Sequence, residues 1–114
     1  MIKPKLFSLL LLLLSCNAFA GLSISDYLNK SKTQVNNTYI NGLSNGFQTI
    51  NSQLVAQDTV PLYCLPPFLN LTTANYRQII TIGINELGPE MSIKTNVDQI
   101  LLNQLIKLYP CGYN

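Results

Sequence analysis

The sequence predicts an all-α protein: a compact four-helix domain of one short and three longer helices, whose carboxyl-terminal pair is locked as a hairpin by a disulfide. Three observations lead there. Apolar residues recur at helical spacing over residues 35–54, 73–87 and 96–109. Cysteines stand just before the second of these runs and just after the third, at Cys64 and Cys111. Between the second and third, Gly88-Pro89 forces a turn, so the two runs fold back on each other and bring the cysteines together.

The chain opens with Lys3 and Lys5, an apolar run over residues 6–14, and a polar stretch closing on Ala18-Phe19-Ala20. Basic, apolar and small-residue regions in that order make a secretory signal, with cleavage expected after Ala20. Residues 1–20 are then the signal and residues 21–114 a single mature domain. The apolar run is too short for a membrane span, and no other stretch reaches the ~18 apolar residues a spanning helix needs. The expected location is the periplasm. Leu13-Leu14-Ser15-Cys16 also fits a lipoprotein processing site, in which Cys16 would carry the lipid. Either route consumes the first of the three cysteines and leaves a pair. In an exported chain of this size such a pair forms a bridge, with a loop-closure contribution of about 4 kcal/mol.

Beyond the signal, Lys30, Lys32, Arg77, Lys94 and Lys107 balance Asp26, Asp58, Glu86, Glu90 and Asp98. No basic stripe exists to hold a phosphate backbone, so nucleic acid is excluded as a partner. Histidine is absent from the sequence, which removes the usual general base and the commonest metal ligand. The five carboxylates are scattered, no glycine-rich phosphate loop follows a strand, and neither cofactor nor catalysis is expected. Asn36-Asn37-Thr38 and Asn70-Leu71-Thr72 match a glycosylation pattern that amide-rich sequence generates by chance.

The mature start is weakly patterned, with Ser25-Asp26 placed to cap a short helix carrying Tyr27 and Leu28. The long helix follows, its apolar face built from Val35, Tyr39, Ile40, Leu43, Phe47, Ile50 and Leu54, opposite Asn37, Asn41, Ser44, Gln48 and Ser52. Gly42 and Gly46 lie one turn apart at the edge of that face, each costing about 1 kcal/mol against alanine. Close approach of another helix, beside Tyr39, would compensate; a break at Asn45-Gly46 is the alternative. Pro61, Pro66 and Pro67 exclude a helix from residues 58–71. The apolar members of that connection, Leu62, Tyr63, Leu65, Phe68 and Leu69, are expected to lid the core, or else to form a contact surface. Thr72 or Thr73 caps the next helix, with Tyr76, Ile79, Ile80, Gly83, Ile84 and Leu87 inward. Residues 90–95 read as a loop. In the final helix Val97, Leu101, Leu102, Leu105, Ile106, Leu108 and Tyr109 span half the circumference, enough to touch the hairpin partner on one side and the long helix or a second subunit on the other.

Tyr39-x-x-Gly42-x-x-x-Gly46, Cys64-Leu65-Pro66, Leu87-Gly88-Pro89-Glu90 and Leu105 with Tyr109-Pro110-Cys111 occur in an order and spacing that resemble the small periplasmic immunity proteins of type VI secretion, the Rap or Tai-type family. The resemblance runs from Tyr39 to Cys111. It implies an all-helical protein, often a homodimer, that binds and blocks a cognate peptidoglycan amidase toxin. Within that frame the loop after Gly88 is the freer projection from the locked hairpin, and Glu90, Met91 and Lys94 give it a mixture suited to filling a cleft. Tyr63 and Phe68 are the alternative contact residues. Two rival readings are a small disulfide-containing periplasmic helical chaperone and, if Cys16 is lipidated, a lipid-anchored envelope binding protein.

Overall fold

The computed structural model describes residues 21–92 and 95–112, excluding the side chains of Met91 and Ser92. The expected signal segment, and with it Cys16, lies outside the described residues, as does Lys94. The four expected helices are present: α1 (Ile24–Leu28), α2 (Thr33–Ala56), α3 (Thr73–Glu86) and, last in the chain, α5 (Val97–Leu108). Two short pieces join them, a 3-10 turn at Lys30–Lys32 and a single helical turn, α4 (Pro89–Ser92). Proline is well suited to a first helical position, which explains why a segment read as loop begins with a turn of helix. No helix among the described residues is long and apolar enough to cross a membrane.

Local chemistry starts each element. The α1 cap is Ser23 rather than Ser25, its hydroxyl accepting from the Asp26 N–H at 3.0 Å. Thr72 caps α3 and Asn75 returns the favour: the Asn75 N–H donates to the Thr72 hydroxyl at 3.2 Å and the Thr72 N–H donates to Asn75 Oδ1 at 2.9 Å. Asn96 caps α5 by accepting from the Gln99 N–H at 2.9 Å. Helix α2 has no side-chain cap and runs on directly from the 3-10 turn.

The core gathers Ile40 of α2, Tyr76, Ile79 and Ile80 of α3, and Val97, Ile100, Leu101 and Leu105 of α5, with Leu22, Ile24 and Tyr27 from the start and Tyr63 from the connection. Helices α3 and α5 pack on each other, and α2 lies against α3. Helices α3 and α5 are tightly packed at Gly83, where an added Cβ would overlap the Ile100 side chain and sit 2.9 Å from Gln104 Cγ. The hairpin is closed covalently: Cys64 and Cys111 are bonded, with Cα atoms 4.9 Å apart, and the Cys64 N–H donates to the Tyr109 carbonyl at 2.8 Å.

Two faces differ from the expectation. In α2 the buried side is turned by roughly 60° from the apolar stripe, at 100° per residue. Asn36 and Ser44 are inside with Ile40, while Val35, Tyr39 and Ile50 face solvent. Hydrogen bonding drives the turn, because Asn36 Nδ2 donates to the carbonyls of Asp26 (2.9 Å) and Tyr27 (3.4 Å). A consequence corrects the reading of Gly42 and Gly46: neither has a described neighbour within 4 Å of an added Cβ, so no helix among the described residues closes on them. In α5, Ile100 and Gln104 are buried and Ile106 and Leu108 are exposed.

Candidate partner-binding face

Residues 57–72 cross one flank of the molecule, and their course follows from a few fixed points. Asp58 ends α2 in the left-handed region, at φ 57°, a conformation that Asp tolerates better than most residues. One α2 amide then clamps the extended part: the Leu62 N–H donates to Asn51 Oδ1 at 2.8 Å, and Asn51 Nδ2 donates to the Tyr63 carbonyl at 3.2 Å. The disulfide fixes Cys64 next. Immediately after it the chain turns sharply, the Leu69 N–H donating to the Pro66 carbonyl at 3.0 Å with Pro67 in the position that favours proline.

That turn carries Phe68 at its tip. The ring is 99% exposed, with Leu69 (38%), Val60 (53%) and, on α2, Val55 (61%) as partly exposed apolar neighbours on this flank. A hollow of about 580 Å³ lies between the turn and α2, lined by Gln48, Asn51, Val55, Leu65, Pro66 and Leu69 among others, with no charged residue among the described residues that line it. Such a face can accept an apolar or neutral polar surface without stripping water from an ion.

Tyr63 and Phe68, grouped as alternative contact residues, are separated by the fold. Phe68 is out, whereas Tyr63 is only 2% exposed and serves the core, so it is corrected from contact residue to support. Its hydroxyl is buried without a hydrogen-bond partner among the described residues. Burial pushes the phenol up to about 12, with a smaller contribution from the nearby Tyr76 phenol. Gln48 Nε2 donates to Tyr76 Oη at 3.2 Å. Of the loop trio, Glu90 is exposed on α4, while Lys94 and the Met91 side chain are outside the described residues.

Tyr39 stands at the other end of the molecule, where its hydroxyl donates to Asp98 Oδ2 at 2.5 Å. Burial, then the Asp98 carboxylate, pushes this phenol up to about 12. Asp98 also accepts from the Leu22 N–H through Oδ1 at 3.0 Å, so one carboxylate joins α2, α5 and the start of the domain. Neither Asn51 nor Asp98 stood out in the sequence. An amide on a polar face looks the same whether it meets water or a backbone, and the only hint for Asp98 was its place in the first turn of a helix.

Comparison with protein-family models, with curated proteins and with solved structures returned no match to this chain.

Proposed function

We propose that this chain is an exported immunity protein that binds a type VI secreted peptidoglycan amidase and inhibits it by blocking the active-site groove. The observation that carries the reading is Phe68. A fully exposed aromatic ring on a turn held by two prolines and a disulfide is a preorganised anchor, since little conformational freedom remains to be lost on binding. The resemblance from Tyr39 to Cys111 supplies the class of partner. Geometry favours the Phe68 turn over Glu90, Met91 and Lys94 as the inhibitory element, because the first is rigid and apolar while Glu90 stands on a one-turn helix.

The test is protection of cells made to export the product of the neighbouring gene, which this reading expects to be a small amidase. Phe68→Ala should abolish protection without lowering the melting temperature, because the ring touches almost nothing in the free protein. Alanine at Glu90, Met91 and Lys94 together should leave protection largely intact. The opposite pattern moves inhibition to the far loop, and protection by both variants refutes a role for either.

The homodimer is proposed on the solvent face of α2. Helix α2 contains no charged residue over 24 positions, and its exposed stripe holds Val35, Tyr39, Gly42, Gly46 and Ile50. Gly42 and Gly46 are spaced evenly about residue 44, so an antiparallel two-fold contact there sets each against the other on the partner.

A further inference from the structure

The first residues of the domain are held far more firmly than a chain end requires. The Leu22 N–H donates to Asp98 Oδ1 at 3.0 Å, the Leu22 carbonyl accepts from the Val97 N–H at 2.8 Å, and Ser23 and Asn96 form an antiparallel bridge. Leu22 is buried. Gly21, the first of the described residues, lies beside this arrangement. A Cβ built on it would lie 2.6 Å from Asn96 Nδ2 and 3.4 Å from Asp98 Oδ1, so a larger residue here would have to displace the Asn96 side chain. The sequence places a small-x-small cleavage motif, Ala18-Phe19-Ala20, at the same boundary. Two independent observations therefore meet at the bond between residues 20 and 21.

We propose that a peptidase specific for small residues cuts this chain between Ala20 and Gly21, and that the freed Gly21 ammonium closes an ion pair on Asp98. The hydrolysis takes up one water: Ala20 leaves as a carboxylate, and the Gly21 nitrogen, an uncharged amide before the cut, becomes a protonated amine. That nitrogen is one bond from the Gly21 Cα, hence about 2.5 Å from the Cβ position and at most about 6 Å from Asp98 Oδ1. Asp98 has room for a third partner. Its two oxygens offer about four lone-pair sites, and the Leu22 N–H and Tyr39 hydroxyl occupy two of them. The position is also favourable for a carboxylate, within the first turn of α5. Export thus changes the domain itself, adding a charge at the point where the start of the chain, α2 and α5 meet.

Among the described residues, the charged and titratable groups around this point are few. Asp26, Lys32 and Tyr39 line the hollow beside Gly21. Asp26 and Lys32 are paired with each other at 3.0 Å, and the Tyr39 phenol keeps its proton until about pH 12. Asp98 is left as the dominant negative charge facing the amine. The ion pair raises the amine pKa in the folded state above its ordinary value. Its contribution is therefore complete below the unfolded value of about 8 and disappears as pH rises through the folded one.

The inference rests on export, not on the amidase reading, and its test involves no toxin. The first measurement is the mass of the exported protein, expected to begin at Gly21; a chain beginning elsewhere, or acylated at Cys16, overturns the proposal. The second is the amine titration of the mature protein, followed by NMR after reductive methylation with labelled carbon from about pH 6 to about pH 11. The expected pKa lies above the ordinary 7.7–8.0 by about half a unit or more. A recombinant chain retaining Ala20 moves the amine about 3.8 Å away and should titrate normally. Asp98→Asn should do the same if it folds; if it does not, the Ala20 chain, which keeps Asp98, carries the comparison. An ordinary pKa in the mature wild type, or the same raised value in the Ala20 chain, refutes the pair.

Discussion

At the residue scale, glycine shows how the same letter can be a contact or an opening. Gly83→Ala forces a methyl group into Ile100 and Gln104 and should destabilise the fold by about 1–3 kcal/mol in urea unfolding. Gly42→Ala and Gly46→Ala meet nothing, so in dilute monomeric protein each should raise stability by up to about 1 kcal/mol through helix propensity alone. The sequence marks Gly83 correctly as inward because its apolar neighbours on α3 surround it. It could not decide Gly42 and Gly46, which sit at the edge of a stripe that the buried amides then rotate away. Tyr63 offers a second test. Its hydroxyl has no partner among the described residues, so Tyr63→Phe should leave stability at pH 7 unchanged or raise it by about 1 kcal/mol. The phenol is raised to about 12 in the folded protein against about 10 unfolded. Between those values the unfolded chain loses the proton first, and stability falls as pH rises. Tyr63→Phe should therefore reduce the alkaline loss, measured as melting temperature from about pH 9 to about pH 12.

At the scale of elements, caps and punctuation were legible and burial of polar side chains was not. Thr72, Gly88-Pro89 and the helices after them follow from rules of local chemistry, and the α3 inward face from Tyr76 to Leu87 is buried or half-buried as its periodicity predicts. Thr72→Ala should cost about 1 kcal/mol, read as a lower urea midpoint with an unchanged slope, because it removes one half of a reciprocal cap. The α2 face was legible only in part. Asn36 and Asn51 are drawn inward to satisfy carbonyls and an N–H of segments distant in sequence, a demand that helical periodicity does not encode. Where cysteine placement and hairpin geometry act together, the sequence is easier to read. Cys64 and Cys111 are bonded, and Cys64→Ser or Cys111→Ser should lower unfolding free energy by about 2–5 kcal/mol.

At the scale of the molecule, the two faces proposed for partners lie on different parts of the surface. One centres on Phe68, the other on the α2 stripe through Gly42 and Gly46. If the stripe joins two copies, the alanine substitutions that stabilise the dilute monomer should weaken self-association, measured by sedimentation across concentration, since closely opposed backbones leave no space for a methyl group. Unchanged sedimentation would place the contact elsewhere. The covalent map of the molecule has a further consequence. Cys64 and Cys111 turn the second half of the domain into a ring, while α1 and α2 remain on an open arm. A protease that nicks the exposed turn of α4 opens the ring but severs nothing, and both pieces stay in one molecule until the bridge is reduced. A nick ahead of Cys64 detaches the arm. Survival against proteases is therefore unequal along the chain, greatest within the ring and least where α2 gives way to the connection.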